Sequence, residues 1–143
     1  MTQRFAKWIL DTCLPRSGYG DLDALHIEEL MRVPGPAGLR EARALDRTLV
    51  TCDQEFGGPC SLALVHPGIV IFQIAPVDGS EVVRNLHHLE FRIEQYGGSL
   101  QLESNRFLIR ADREVFLISP EGEEIELEYW RTVKFQTIPA LAV

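Results

Sequence analysis

The sequence predicts an α/β fold with a mainly parallel central sheet and a C-terminal antiparallel β meander. Three observations predict it. Ile69–Ile74 reads IVIFQI, a nearly unbroken apolar run of the kind a strand needs when a parallel sheet buries both its faces. Before residue 97, short strand-like runs alternate with segments of helical period. After Gly98 the pattern changes to apolar–polar alternation broken by Asn105, Asp112-Arg113 and Pro120-Glu121-Gly122, as in a meander.

In chain order, Trp8–Thr12 is a short apolar run read as a buried strand with Asp11 at its C-terminal end; Pro15 stops it. Arg16–Asp23 is rich in Gly and Asp and reads as a loop. Ala24–Ile27 is a second strand, followed by Glu28 and Glu29. Arg32–Gly38, with two prolines and two glycines, is a loop. Leu39–Arg47 is a helix with Leu39, Ala42 and Leu45 on its apolar face and Arg40, Arg43 and Arg47 on a basic one. Thr48–Thr51 is a β-branched strand that runs into Asp53 and Glu55. Cys60–Val65 reads equally as a short helix or an extended connection, and His66-Pro67-Gly68 as a turn. A helix runs from Gly79 to about Tyr96. Ser80 is its expected N-cap, Val82, Leu86, Leu89 and Ile93 its buried face, and Gly97-Gly98 its end. Leu100–Glu103, Phe107–Arg110, Val115–Ile118 and Ile125–Tyr129 are the expected strands of the meander. Residues 1–112 form the α/β domain, and 113–143 a hairpin and tail that extend it.

Composition narrows the class of function. With 45% hydrophobic and 24% charged residues the chain is of globular type. No run of 18 apolar residues predicts a membrane span. The N-terminal stretch carries an acid within its apolar run and lacks a small-residue cleavage site, so it does not read as a signal peptide, and a cytoplasmic location is expected. Fourteen Lys and Arg against 21 Asp and Glu leave a net charge of −7, which argues against a protein that coats nucleic acid by bulk charge but leaves room for a local basic stripe. Cys13, Cys52 and Cys60 are odd in number and form no C-x-x-C pair, so a disulfide framework is not expected. Cys52, Cys60 and His66 match no standard zinc spacing. His87 and His88 are helix neighbours and cannot both face one ligand.

The chemistry-bearing pattern is a pair of strand-end acids. In open parallel sheets the binding crevice lies beyond the carboxyl ends of the strands, where strand order switches. If the strands at 8–12 and 48–51 are neighbours, Asp11 and Asp53 meet there, with Glu55 on the same loop. Carboxylates brought together repel and need a cation, and oxygen-only donor sets select Mg²⁺ or Mn²⁺. Such ions activate water and stabilise phosphoryl transfer, so the pattern points towards phosphodiester hydrolysis. Equally, acids at strand ends serve as ordinary loop and N-cap residues.

The stretch Arg47-Thr-Leu-Val-Thr-Cys-Asp-Gln-Glu-Phe-Gly57 resembles the R-x-L-V-T-x-D-x-D-F signature of PIN-like nuclease domains, in particular the short branch related to VapC-type toxin ribonucleases. Trp8–Pro15 (WILDTCLP) is similar to that branch's opening strand, and Pro67–Ile74 to its later buried strand. The resemblance covers about residues 5–112 and implies a three-layer fold and a cytoplasmic, Mg²⁺- or Mn²⁺-dependent ribonuclease. It implies that Asp11, Asp53 and Glu55 bind the metal and act in catalysis, with Glu41 as a substitute acid and Thr51 orienting the loop or binding a carboxylate. It further implies an antitoxin or other protein partner. Apart from the resemblance, the basic stripe Arg40, Arg43 and Arg47 reads either as a contact surface for the RNA backbone or as an exposed helix face paired with Glu41 and Asp46.

Two departures from the pattern support a second reading. Gly35–Gly38 stands where the family has an acid at a helix start, and the first crossover lacks the family's helix. A catalytically inactive PIN-like domain would act instead as an interaction or regulatory subunit, with the C-terminal strands available for homodimerisation.

Overall fold

A computed structural model describes residues 6–30, 36–58 and 66–127. Seven strands form one mixed sheet. They are β1 (Trp8–Leu10), β2 (Ala24–His26), β3 (Thr48–Thr51), β4 (Ile69–Phe72), β5 (Arg106–Ala111), β6 (Glu114–Ile118) and β7 (Glu124–Glu126). Their order across the sheet is β2-β1-β3-β4-β5-β6-β7. The first five are parallel, and β6 and β7 continue the sheet antiparallel, so the meander grows directly from the parallel part. The 112/113 division lies in the turn between β5 and β6.

Among the described residues, two α-helices cover the sheet. Alternation along the strands explains the two cores. Trp8, Leu10, Val50, Val70 and Phe72 pack against Val82, Leu86 and Leu89 of α2 (Gly79–Glu94). The intervening residues Ile9 and Leu49 turn to the other face and meet Ala42 and Leu39 of α1 (Pro36–Leu45), and Ile69 and Ile71 share Leu39 and Phe56 there.

The helix and strand limits differ from the sequence reading where side-chain chemistry decides them. α1 begins at Pro36 rather than Leu39, because proline's fixed φ and missing N–H suit a first helical turn. It ends at Leu45, where Asp46 turns left-handed (φ 55°). The N-cap of α2 is Asp78, not Ser80: the Asp78 carboxylate accepts the Glu81 N–H at 3.0 Å, and the Ser80 hydroxyl donates to the same oxygen. Residues 100–103 form turns rather than a strand. Gly97, Gly98 and Ser104 all have positive φ, and the alternating Leu100 and Leu102 mark packing against the α2-side core. β4 stops at Phe72, leaving Ile74 71% exposed. Residues 60–65, and 128–129 of the expected last strand, lie outside the described residues.

The connection from β1 to β2 contains no helix. It is residues 11–23, long enough to return the chain for parallel pairing. That loop rests on the start of α2, where a Cβ on Gly79 would lie 2.5 Å from the Ser17 carbonyl oxygen.

Candidate functional site

Strand order switches between β1 and β3: the chain leaves β1 towards β2 on one side, and β3 pairs on the other. The carboxyl ends of β1 and β3 therefore flank the crevice that an open parallel sheet provides. Parallel pairing sets Leu10 opposite Val50, and the Asp11 N–H continues the ladder to the Val50 carbonyl at 2.9 Å. Asp11 and Thr51 are thus the next opposed pair. Both follow residues on the α2 face, Leu10 and Val50, so their side chains turn to the α1 face and meet.

The contact is direct. The Thr51 hydroxyl donates to Asp11 Oδ2 at 2.8 Å, and Asp11 Oδ1 accepts the Thr12 N–H at 2.8 Å. The Thr51 oxygen in turn accepts the Asp53 N–H at 3.1 Å. One hydroxyl so ties the two acid-bearing loops together. Asp11 is 6% exposed and Thr51 fully buried. The Asp53 side chain caps the 3₁₀ turn Gln54–Gly57 by accepting the Glu55 N–H at 3.0 Å, and the Glu55 side chain is exposed.

The remaining expected residues lie elsewhere. Glu41 is half-buried in the second turn of α1. Arg47 donates to the Trp8 carbonyl at 3.1 Å and pairs with Asp23 at 2.9 Å, at the starts of β1 and β2 and so at the sheet edge opposite the crevice. Arg40 and Arg43 are exposed on α1, and Arg43 acts electrostatically on His66, just before β4, again at the opposite edge. The structure brings Asp11, Thr51 and Asp53 together, with Glu55 beside them, and separates Arg47 from them. Among the described residues, no three His, Cys, Asp or Glu side chains form a metal-holding group.

Several supporting residues carry no obvious sequence signal. His26 is buried at the end of β2. Its Nε2 lies 3.0 Å from the Leu14 carbonyl, and its Nδ1 accepts the Glu28 N–H at 3.2 Å. This pattern assigns the neutral Nε2–H tautomer and anchors the loop that follows Asp11. Its only trace in the sequence is a polar residue inside the apolar run Ala24–Ile27. Glu29 accepts the His26 N–H at 3.0 Å. Gln54 Nε2 donates to the Cys52 and Phe72 carbonyls, both at 3.0 Å, and braces the loop after β3 against β4.

Cys52 sits between Thr51 and Asp53 in sequence, yet alternation turns it to the α2 side, where it packs with the core that includes Tyr19. Cys13 meets it there. The Cys13 sulfur accepts the Cys52 N–H at 3.0 Å, and the Cys52 thiol donates to the same sulfur. That hydrogen bond, with the backbone N–H, lowers the Cys13 thiol below its ordinary value against the opposing effect of burial. It raises Cys52, and burial adds to the rise. Tyr19 is pushed up to about 12, by burial first and by the neighbouring thiols second.

Compared with known proteins, the chain matches no family model, no curated protein and no solved structure with significance. Among the described residues, no helix is long and apolar enough to cross a membrane.

Proposed function

We propose that the chain is a PIN-like domain whose β1/β3 crevice is a Mg²⁺- or Mn²⁺-dependent site for cleavage of cytoplasmic RNA, as in a toxin-type ribonuclease. The observation that carries the reading is the hydrogen-bonded series Asp11–Thr51–Asp53 at the strand-order switch. The donor set fits the ion. Magnesium is commonly held by one or two carboxylates, with water and substrate phosphate completing its shell. Asp11 and Asp53 are the two carboxylates, Glu55 stands on the same loop, and a carboxylate retains acceptor capacity beyond one hydrogen bond per oxygen. When bound, such an ion activates water and offsets charge on the phosphoryl group. The chain's own part is positional: Thr51 fixes the Asp11 carboxylate, and the Asp53 cap fixes the loop that carries Glu55.

A second reading is an inactive PIN-like subunit that binds a protein partner, such as an antitoxin, or a second copy. It is favoured by the internal use of the Asp53 carboxylate as a helix cap. Calorimetric titration with Mn²⁺, on wild type and Asp53→Asn, separates the two. Saturable binding lost in the variant, followed by Mn²⁺-dependent RNA cleavage, is the expected result. No binding by either folded protein overturns the first reading and leaves the second.

A further inference from the structure

We propose that Cys13 and Cys52 are a redox-active thiol pair that closes, on reaction with a hydroperoxide, into a reversible intramolecular disulfide. The proposal does not depend on the nuclease reading, because the pair lies on the α2 side of the sheet and the carboxylates on the α1 side.

Geometry carries it. The Cys13 sulfur lies 3.0 Å from the Cys52 backbone nitrogen, so a rotation about the side-chain bonds brings the two sulfurs together. Cys13 stands in the turn after β1 and Cys52 directly after β3, so the two lie on the loops that leave adjacent strands. Both thiols are free, Cys13 exposed and Cys52 half-buried, so one is open to a small oxidant and the other is shielded beside it. Both segments are braced. The Leu14 N–H bonds the Asp11 carbonyl, His26 holds the Leu14 carbonyl, and Gln54 holds the Cys52 carbonyl. A held partner thiol favours ring closure over further oxidation.

The steps balance. The Cys13 thiol and hydrogen peroxide give the Cys13 sulfenic acid and water. The Cys52 sulfur then displaces hydroxide from the Cys13 sulfur, forming the S–S bond, and the thiol proton leaves with that hydroxide as a second water. A dithiol reductant reverses the change, giving back both thiols and becoming a disulfide itself. The bond would join residues 39 apart in sequence and link the loop after β1 to the loop after β3.

The test uses the full chain, reduced, desalted and treated with stoichiometric hydrogen peroxide. Of its three thiols, one should remain titratable, with the mass lowered by two hydrogens. Non-reducing digestion after Lys, Arg and Glu separates Cys52 from Cys60 at Glu55, and should yield a Cys13 peptide linked to a Cys52 peptide. Dithiothreitol should restore all three thiols. The Cys60→Ser protein should cross-link as wild type does, and the Cys52→Ser protein should accumulate a sulfenic acid at Cys13 that dimedone traps. Sulfinic or sulfonic Cys13 with Cys52 still alkylatable, linkage through Cys60, or a disulfide between two chains would each overturn the proposal.

Discussion

Thr51 holds two loops with a single hydroxyl. It donates to Asp11 and accepts from Asp53 N–H, all in a setting where water does not substitute. Replacing it with valine keeps the shape and removes both bonds. A buried group left short of its partner costs about 1–3 kcal/mol, so Thr51→Val should lower the unfolding free energy by that amount, read as a lower urea midpoint with an unchanged denaturant slope. Thr51→Ser, which keeps the oxygen, should recover most of the loss. A midpoint equal to wild type in the valine variant would show that Asp11 finds another donor. Arg47 looks in the sequence like part of a basic stripe with Arg40 and Arg43. Its guanidinium is instead used up at the strand starts, bonded to Trp8 and Asp23, because the same helix end that carries it abuts the first two strands.

At the scale of elements, α2 joins the sheet by an apolar face and joins the first loop by a bare backbone contact. Leu86 is fully buried in the α2-side core, and Leu86→Ala should destabilise by about 2–5 kcal/mol in equilibrium unfolding. Gly79→Ala acts differently. The added methyl would lie 2.5 Å from the Ser17 carbonyl oxygen and 2.7 Å from that of Gly18, so backbone must move. Hydrogen exchange should then report faster opening of the loop at 16–23, with α2 itself still protected. Unchanged exchange there would mean that the helix start moves instead of the loop. Beyond α2, Arg84 and Asn85 both reach Asp112, and Asn85 Oδ1 accepts the Arg113 N–H at 2.7 Å, so the helix also fixes the β5–β6 turn.

For the whole molecule, the pH response follows from buried imidazole. His66 is 5% exposed, with Nδ1 accepting the Gly68 N–H, and burial holds its pKa below 6.5, with Arg43 and Arg106 adding to the effect. A histidine depressed in the folded state is neutral there while the unfolded chain takes up a proton. Stability is therefore full above pH 6.5 and falls as pH drops from there towards the lowered folded value. His88 shifts the same way, chiefly through burial. Thermal unfolding should show a lower midpoint at pH 5.5 than at pH 7.5. His66→Asn, which can still accept from Gly68, should flatten part of that slope, and an identical slope would remove His66 as its source.

Local chemistry was legible from residue order. The β-branched Thr48–Thr51, the apolar Ile69–Phe72 and the helical period through Val82, Leu86 and Leu89 each state their own conformation, because burial demands a pattern that matches the period of the element. The candidate crevice was legible too, since an acid just beyond a buried strand has few places to go but the sheet's carboxyl edge. Other features depend on distant partners. Asp78 rather than Ser80 caps α2, and Leu100 and Leu102 alternate without forming a strand. Arg47 faces away from Asp11, and Cys13 lies against Cys52. Each of these follows from where the sheet's order and alternation carry the chain. Strand neighbours are chosen by the packing of the entire core, so side chains tens of residues apart meet only when that core has formed.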